Sequence, residues 1–217
     1  MGNIKGLLFD LDGVLVSTEH NHFEAWKKTA DKLGIPFTET DNEQLKGVSR
    51  VHSLEKILAM GGIHLSEVDF NELLVFKNDC YLESVRFLNP SDLLPGVADL
   101  LIKAKKYGIS IGLGSSSKNA PMILERLQIT SYFDVVVDGN SVSSPKPAPD
   151  VFLFGAKQLG LNPNECLVFE DALSGVEAGK AGGFHVIGVG NPSIRNLCNE
   201  FVTSLEHFQL ENHAKPI

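Results

Sequence analysis

The chain has 217 residues, 43% apolar and 21% charged, a composition that excludes a disordered, collagen-like or low-complexity protein. The length suits one large domain, or a domain carrying a substantial insert, with residues enough to bury a proper core. Lys and Arg number 19 against 27 Asp and Glu, a formal net charge of −8, and a field of that sign argues against nucleic acid or an anionic membrane as main partner.

In chain order, Gly6–Phe9 is an apolar run cut off by Asp10 and reads as a buried parallel strand. It is too short for a signal peptide's core, and no stretch approaches the roughly 18 apolar residues of a membrane span. Three helical patterns follow, His20–Leu33, Glu43–Met60 and Ser66–Phe87, with no convincing strand among them. Such a length of helix is too long for a βα crossover, so residues 18–90 are expected to form an inserted helical cap domain. Its expected joints are Gly13–Thr18 and the stretch from Asn89 to Gly96. From there helices and strands alternate: Val97–Tyr107, Ile109–Leu113, Pro121–Leu127, Phe133–Val137, Asp150–Leu159, Cys166–Phe169 and His185–Val189. This rhythm predicts an α/β core with a parallel sheet over residues 1–17 and 91–217. After Asn191 the pattern offers one helix and a polar tail. The three cysteines (Cys80, Cys166, Cys198) are widely spaced, which argues against a disulfide framework and for a reducing compartment.

Several strand ends carry chemistry. Asp10-Leu11-Asp12-Gly13 sets two carboxylates at i and i+2 past the first strand, at the edge where open parallel sheets bind ligands. A calcium loop does not fit, because with Gly13 as its sixth residue the first ligand would be Leu8. Ser115-Ser116-Ser117 ends the second strand ahead of a helix, where hydroxyls and free N–H groups suit a phosphate. Lys146 stands between Pro145 and Pro147, which hold the backbone extended. Glu170-Asp171 is a second carboxylate pair. Clustered like charges are costly without a compensating cation, so Lys146 and a divalent metal with oxygen ligands are implied. Singly each motif reads as a capped turn, a solvated loop or a polar strand end. Together they point to one site.

The order DxDG, Ser, Lys, Glu-Asp resembles the haloacid dehalogenase superfamily of phosphoryl-transfer enzymes. The resemblance implies a Rossmann-like parallel sheet flanked by helices, a helical cap, and Mg²⁺ as cofactor. Within the insert, Asn42-Glu43-Gln44-Leu45-Lys46-Gly47-Val48-Ser49-Arg50 with Ser53, and Lys77-Asn78-Asp79 before Tyr81, are similar to the β-phosphoglucomutase family. Ser17 departs from it, since related sequences often carry Asp before Thr18.

Carried over residue by residue, the resemblance makes Asp10 the nucleophile and Asp12 the general acid/base. Metal ligands would be Asp10, the Asp12 carbonyl, Asp171 and Glu170. Ser115 and Lys146 would hold the transferring phosphoryl group, and Arg50, Ser117 and Asn119 the second phosphate. Further substrate contacts would come from Thr18, Lys46, Val48, Ser53, Lys77, Ser116 and Lys118. His22 would reach Asp12 or substrate, and Trp26 reads as core or as a sugar contact. Lys46 and Arg50 are expected on one helix face at i, i+4, with Gly47 letting backbone approach a ligand. The implied function is a mutase interconverting β-D-glucose 1-phosphate and D-glucose 6-phosphate through a bisphosphate. The alternative is a Mg-dependent sugar-phosphate phosphatase; a silent binding module would not need the nucleophile. A cytoplasmic monomer acting on a small hexose phosphate, without nucleic-acid or membrane partners, is expected.

Overall fold

A computed structural model describes residues 4–215. Strands β1 (Gly6–Phe9), β2 (Ser110–Gly114), β3 (Val135–Val137), β4 (Cys166–Glu170), β5 (His185–Val189) and β6 (Glu200–Val202) form one parallel sheet. Their order is β3-β2-β1-β4-β5-β6, which puts β1 in the interior between β2 and β4. Alternate residues of β1 serve opposite layers. Leu7 and Phe9 pack with helices α5 (Val97–Lys106) and α6 (Ala120–Arg126), while Leu8 packs with α7 (Asp150–Gln158) and α8 (Leu173–Ala181). A strand buried on both faces has no polar alternation, which is why β1, β2 and β4 read as continuous apolar runs.

Between β1 and α5 the chain builds four helices, α1 (Glu19–Lys32), α2 (Glu39–Glu43), α3 (Arg50–Gly61) and α4 (Glu67–Ser84). They have their own core, including Trp26, Ile35, Phe37, Leu54 and Ile57. The two connecting segments pair with one another: Val16 bridges Leu93, and Leu94 N–H donates to Leu15 C=O at 3.0 Å.

Two expectations are corrected. The helix expected over Glu43–Met60 is two helices with a turn between. Thr38 and Asp41 form a capping box that starts α2, Gly47 takes φ +69°, and Ser49 Oγ caps α3 by accepting from His52 N–H. An internal left-handed residue and a fresh N-cap end one helix and begin another. After Asn191 the described residues contain no α-helix, only short 3₁₀ turns and the edge strand β6. Nor is the tail simply polar: Leu205, Phe208, Leu210 and Ala214 complete the larger core cluster.

Phe169 is the hub of that cluster, fully buried, stacked on Phe9 at 4.7 Å and edge-on to Phe208 at 4.9 Å. Phe169→Ala should cost about 3–5 kcal/mol in urea unfolding, whereas Leu153→Ala, 39% exposed, should stay within about 0.5 kcal/mol. Similar losses for the two would contradict this packing.

Candidate active site

Strand register builds the site. Phe9 lies beside Leu113 and Phe169, so Asp10, Ser115 and Glu170 leave the sheet at one edge. Asp10 N–H still bonds Phe169 C=O at 3.0 Å, and Ser115 N–H bonds Val137 C=O at 3.0 Å. Lys146 enters from the loop before α7, with Nζ 2.5 Å from Asp10 Oδ1 and 2.5 Å from Glu170 Oε1. The ammonium also lies 4.6 Å from the Phe152 ring centroid. Burial works against its charge, but Asp10 and Glu170 outweigh burial and hold its pKa above the usual lysine value. The second oxygen of Glu170 accepts the Asp171 and Ala172 N–H groups, each at 3.1 Å. Gly13, at φ +82°, presses against the Asp171 carboxylate where a Cβ would collide.

Asp10, Glu170 and Asp171 are buried, with one carboxylate oxygen of each within 4.8 Å of the others. One ammonium does not balance three carboxylates. Burial first, then the Asp10 charge, lifts Glu170 to about 7 against the pull of Lys146. Burial and the charges of Glu170, Asp10 and Glu19 raise Asp171 well above the carboxylate range. An all-oxygen donor set with excess negative charge fits a hard divalent cation.

Asp12 accepts a hydrogen bond from the Thr18 hydroxyl and lies 3.7 Å from His22 Nε2. His22 Nδ1 is 2.9 Å from Lys77 Nζ, and that ammonium lies 4.6 Å from the Trp26 ring centroid. Burial, then the neighbouring Asp10 charge, raises Asp12 to about 7. Burial, then Arg50, lowers Lys77 to about 7, and burial with Lys77 and Arg50 depresses His22 well below its ordinary value. Burial and the two neighbouring cations thus favour the neutral imidazole over the charged one.

The insert closes over this edge, leaving a cleft of about 1170 Å³ with its open mouth included. From the sheet side come Asp10, Asp12, Ser115, Ser116, Ser117, Lys118, Asn119, Lys146 and Asp171. His22, Trp26, Lys46, Gly47, Val48, Arg50, Ser53 and Lys77 face it from the insert. Two expected residues stand behind the lining: Thr18, buried against Asp12, and Glu170, buried against Lys146. Lys46 and Arg50 do not share a helix face, because Lys46 sits in the turn before α3 while Arg50 opens that helix. They reach one cleft through the turn instead. Lys46 Nζ pairs with Glu19 at 3.0 Å and Glu43 at 2.9 Å. The Ser116 hydroxyl donates to Gly47 C=O at 2.8 Å. Glu19 is a cleft residue that sequence reasoning missed; an acid in a helix's first turn reads equally as a partner for the helix dipole.

A family model described as haloacid dehalogenase-like hydrolase matches residues 4–183. A β-phosphoglucomutase of Bacillus subtilis is 44% identical over 189 residues, 86% of this chain and 84% of that protein. A phosphorylated carbohydrates phosphatase of Thermotoga maritima is 33% identical, over 85% of this chain and 84% of the other. The crystal structure of a β-phosphoglucomutase from Clostridium difficile superposes with a TM-score of 0.93 at 38% identity, covering 96% of this chain and 95% of that one.

The acidic cluster generates a test. Glu170 and Asp171 keep protons in the folded state that the unfolded chain gives up at ordinary carboxylate values. These two groups therefore cost the metal-free fold stability as pH rises between those values, and a bound cation takes the protons' place. Thermal stabilisation by a divalent cation should grow from about pH 6 to about pH 8. Calorimetric scans with cation or chelator at each pH measure it, and equal stabilisation at both would contradict the assignment.

Proposed function

The chain belongs to the haloacid dehalogenase superfamily, and from that premise we propose that it is a β-phosphoglucomutase. It would interconvert β-D-glucose 1-phosphate and D-glucose 6-phosphate through a phosphoryl group on Asp10 and a glucose 1,6-bisphosphate intermediate. Residues 18–90 act in this reading as the cap domain over a core of 1–17 and 91–217. The setting is the cytoplasm, in keeping with three free cysteines, and the working unit is a monomer.

Arg50 carries the proposal. Its guanidinium faces the cleft, partly desolvated, within the field of Asp79 and Tyr81 but without a hydrogen bond or close ion pair among the described residues. The other insert cations at the cleft are engaged, Lys46 by Glu19 and Glu43 and Lys77 by His22. A guanidinium with its hydrogen-bond donors free toward the cleft suits the forked grip on a second phosphate. A phosphatase acting on a single phosphate has no need of that grip.

The chemistry follows from the chain's own groups. Lys146 fixes Asp10 by one oxygen, which orients the carboxylate for in-line attack on phosphorus. Asp12, lifted to about 7, is poised to protonate the leaving sugar oxygen and later to accept the proton of the attacking hydroxyl. Thr18 and His22 keep Asp12 aimed into the cleft. Mg²⁺, held by Asp10 and Asp171 with help from the Asp12 carbonyl and Glu170, would neutralise the phosphoryl oxygens. Ser115 and Lys146 share that load, while Arg50, Ser117 and Asn119 hold the phosphate that is not transferring.

The deciding assay supplies β-glucose 1-phosphate, Mg²⁺ and a trace of glucose 1,6-bisphosphate, and counts glucose 6-phosphate and free phosphate in parallel. Predominant glucose 6-phosphate is expected; free phosphate alone would make the protein a sugar-phosphate phosphatase. Arg50→Ala should lower isomerisation about thirtyfold or more, the equivalent of about 2 kcal/mol, and spare hydrolysis of a single-phosphate ester. If both rates fall together, Arg50 does not serve a second phosphate. For Asp12→Ala the expected loss is about a hundredfold with a sugar phosphate and much less with a donor that has a good leaving group. Equal losses on the two donors would remove Asp12 from the proton-transfer role.

A further inference from the structure

Asp10, Ser115, Lys146 and Asp171 are each 5% exposed or less. All four line the cleft beneath the insert, so the contacts that join the insert to the sheet edge set how far that cleft opens. Two joining contacts sit side by side. Ser116 Oγ donates to Gly47 C=O at 2.8 Å, and Ser174 Oγ donates to Lys46 C=O at 3.1 Å. Two hydroxyls, one from the loop after β2 and one from the first turn of α8, thus grip consecutive carbonyls of one turn in the insert.

Ser174 is the second residue of α8, whose N-terminus carries no side-chain cap. The N-cap position itself is held by Ala172, and the Ser174 hydroxyl in the first turn reaches across to another element. The turn is shaped to receive it. Gly47 stands at φ +69°, and a Cβ there would collide with Ser174 Oγ and lie 3.3 Å from Ala172 Cβ. Glycine is therefore required twice over, by its backbone angle and by the approach of α8.

We propose that Ser174 is a positioning residue that, together with Ser116, latches the Lys46-Gly47 turn onto the core and holds the cleft shut over Asp10. Its bearing on turnover rests on the phosphoryl-transfer reading; its bearing on closure does not. With the latch made, water is kept from the phosphorylated aspartate while sugar oxygens compete for it.

The test compares Ser174→Ala and Ser174→Thr in the full-length protein. Amide hydrogen exchange across residues 44–49 should quicken about three- to tenfold in the alanine variant, the worth of one neutral hydrogen bond. Exchange in β1 and β4 should not change, and threonine should restore protection of the turn. In parallel, the ratio of free phosphate to glucose 6-phosphate should rise by a similar factor in Ser174→Ala and return in Ser174→Thr. Unchanged exchange at the turn would overturn the latch. Faster exchange with an unaltered product ratio would overturn its guarding role. Absence of any glucose 6-phosphate in the unmodified protein would sink the mutase reading, while the exchange result still decides the latch.

Discussion

One ammonium between two carboxylates organises this molecule. Lys146 sits 2.5 Å from both Asp10 and Glu170, and all three side chains are almost without solvent. A buried ion pair is not by itself a source of stability, but removing one partner leaves an uncompensated charge at a cost of about 3–5 kcal/mol. The strand order must therefore keep β1 beside β4, and the loop before α7 must return Lys146 to their shared edge. The same triad is charge-deficient on the cation side, and with the neighbouring Asp171 it forms an acidic cluster that could coordinate a divalent cation. Fold and chemistry are constrained through a single contact.

Around that centre the insert contributes what the sheet cannot. Strand ends supply carboxylates and hydroxyls at fixed spacing, but they face one way. The turn before α3 and the first residue of that helix bring Lys46, Gly47 and Arg50 down from the opposite side. Burial then moves Asp12 and Lys77 toward neutrality from opposite directions, to about 7 each. Groups so shifted are common where protons must be exchanged during turnover.

Much of this was legible in the chain. Apolar runs ending in Asp10, Ser115 and Glu170 identified strands and their functional ends together, because a doubly buried strand announces itself and its first polar residue lies at the edge. The length of helix after β1 identified the insert. Other features were hidden for definite reasons. β6 spans only Glu200–Val202, too short for any periodicity, and Leu205, Phe208 and Leu210 enter the core from 3₁₀ turns without a regular spacing. In the sequence alone Gly47 reads as a ligand approach as readily as a chain turn, and the i, i+4 spacing of Lys46 and Arg50 mimics one helix face. Ser174 had no local signal, because its partner lies 128 residues away.

The placement of Trp26 has a practical consequence. It is the chain's one tryptophan, it is 3% exposed, and its ring forms part of the cleft wall beneath the Lys77 ammonium. Indole emission responds to nearby charge and to water, and no second indole contributes background. The protein thus carries its own optical reporter, positioned so that filling the cleft, moving the insert or deprotonating Lys77 would each alter the light it emits.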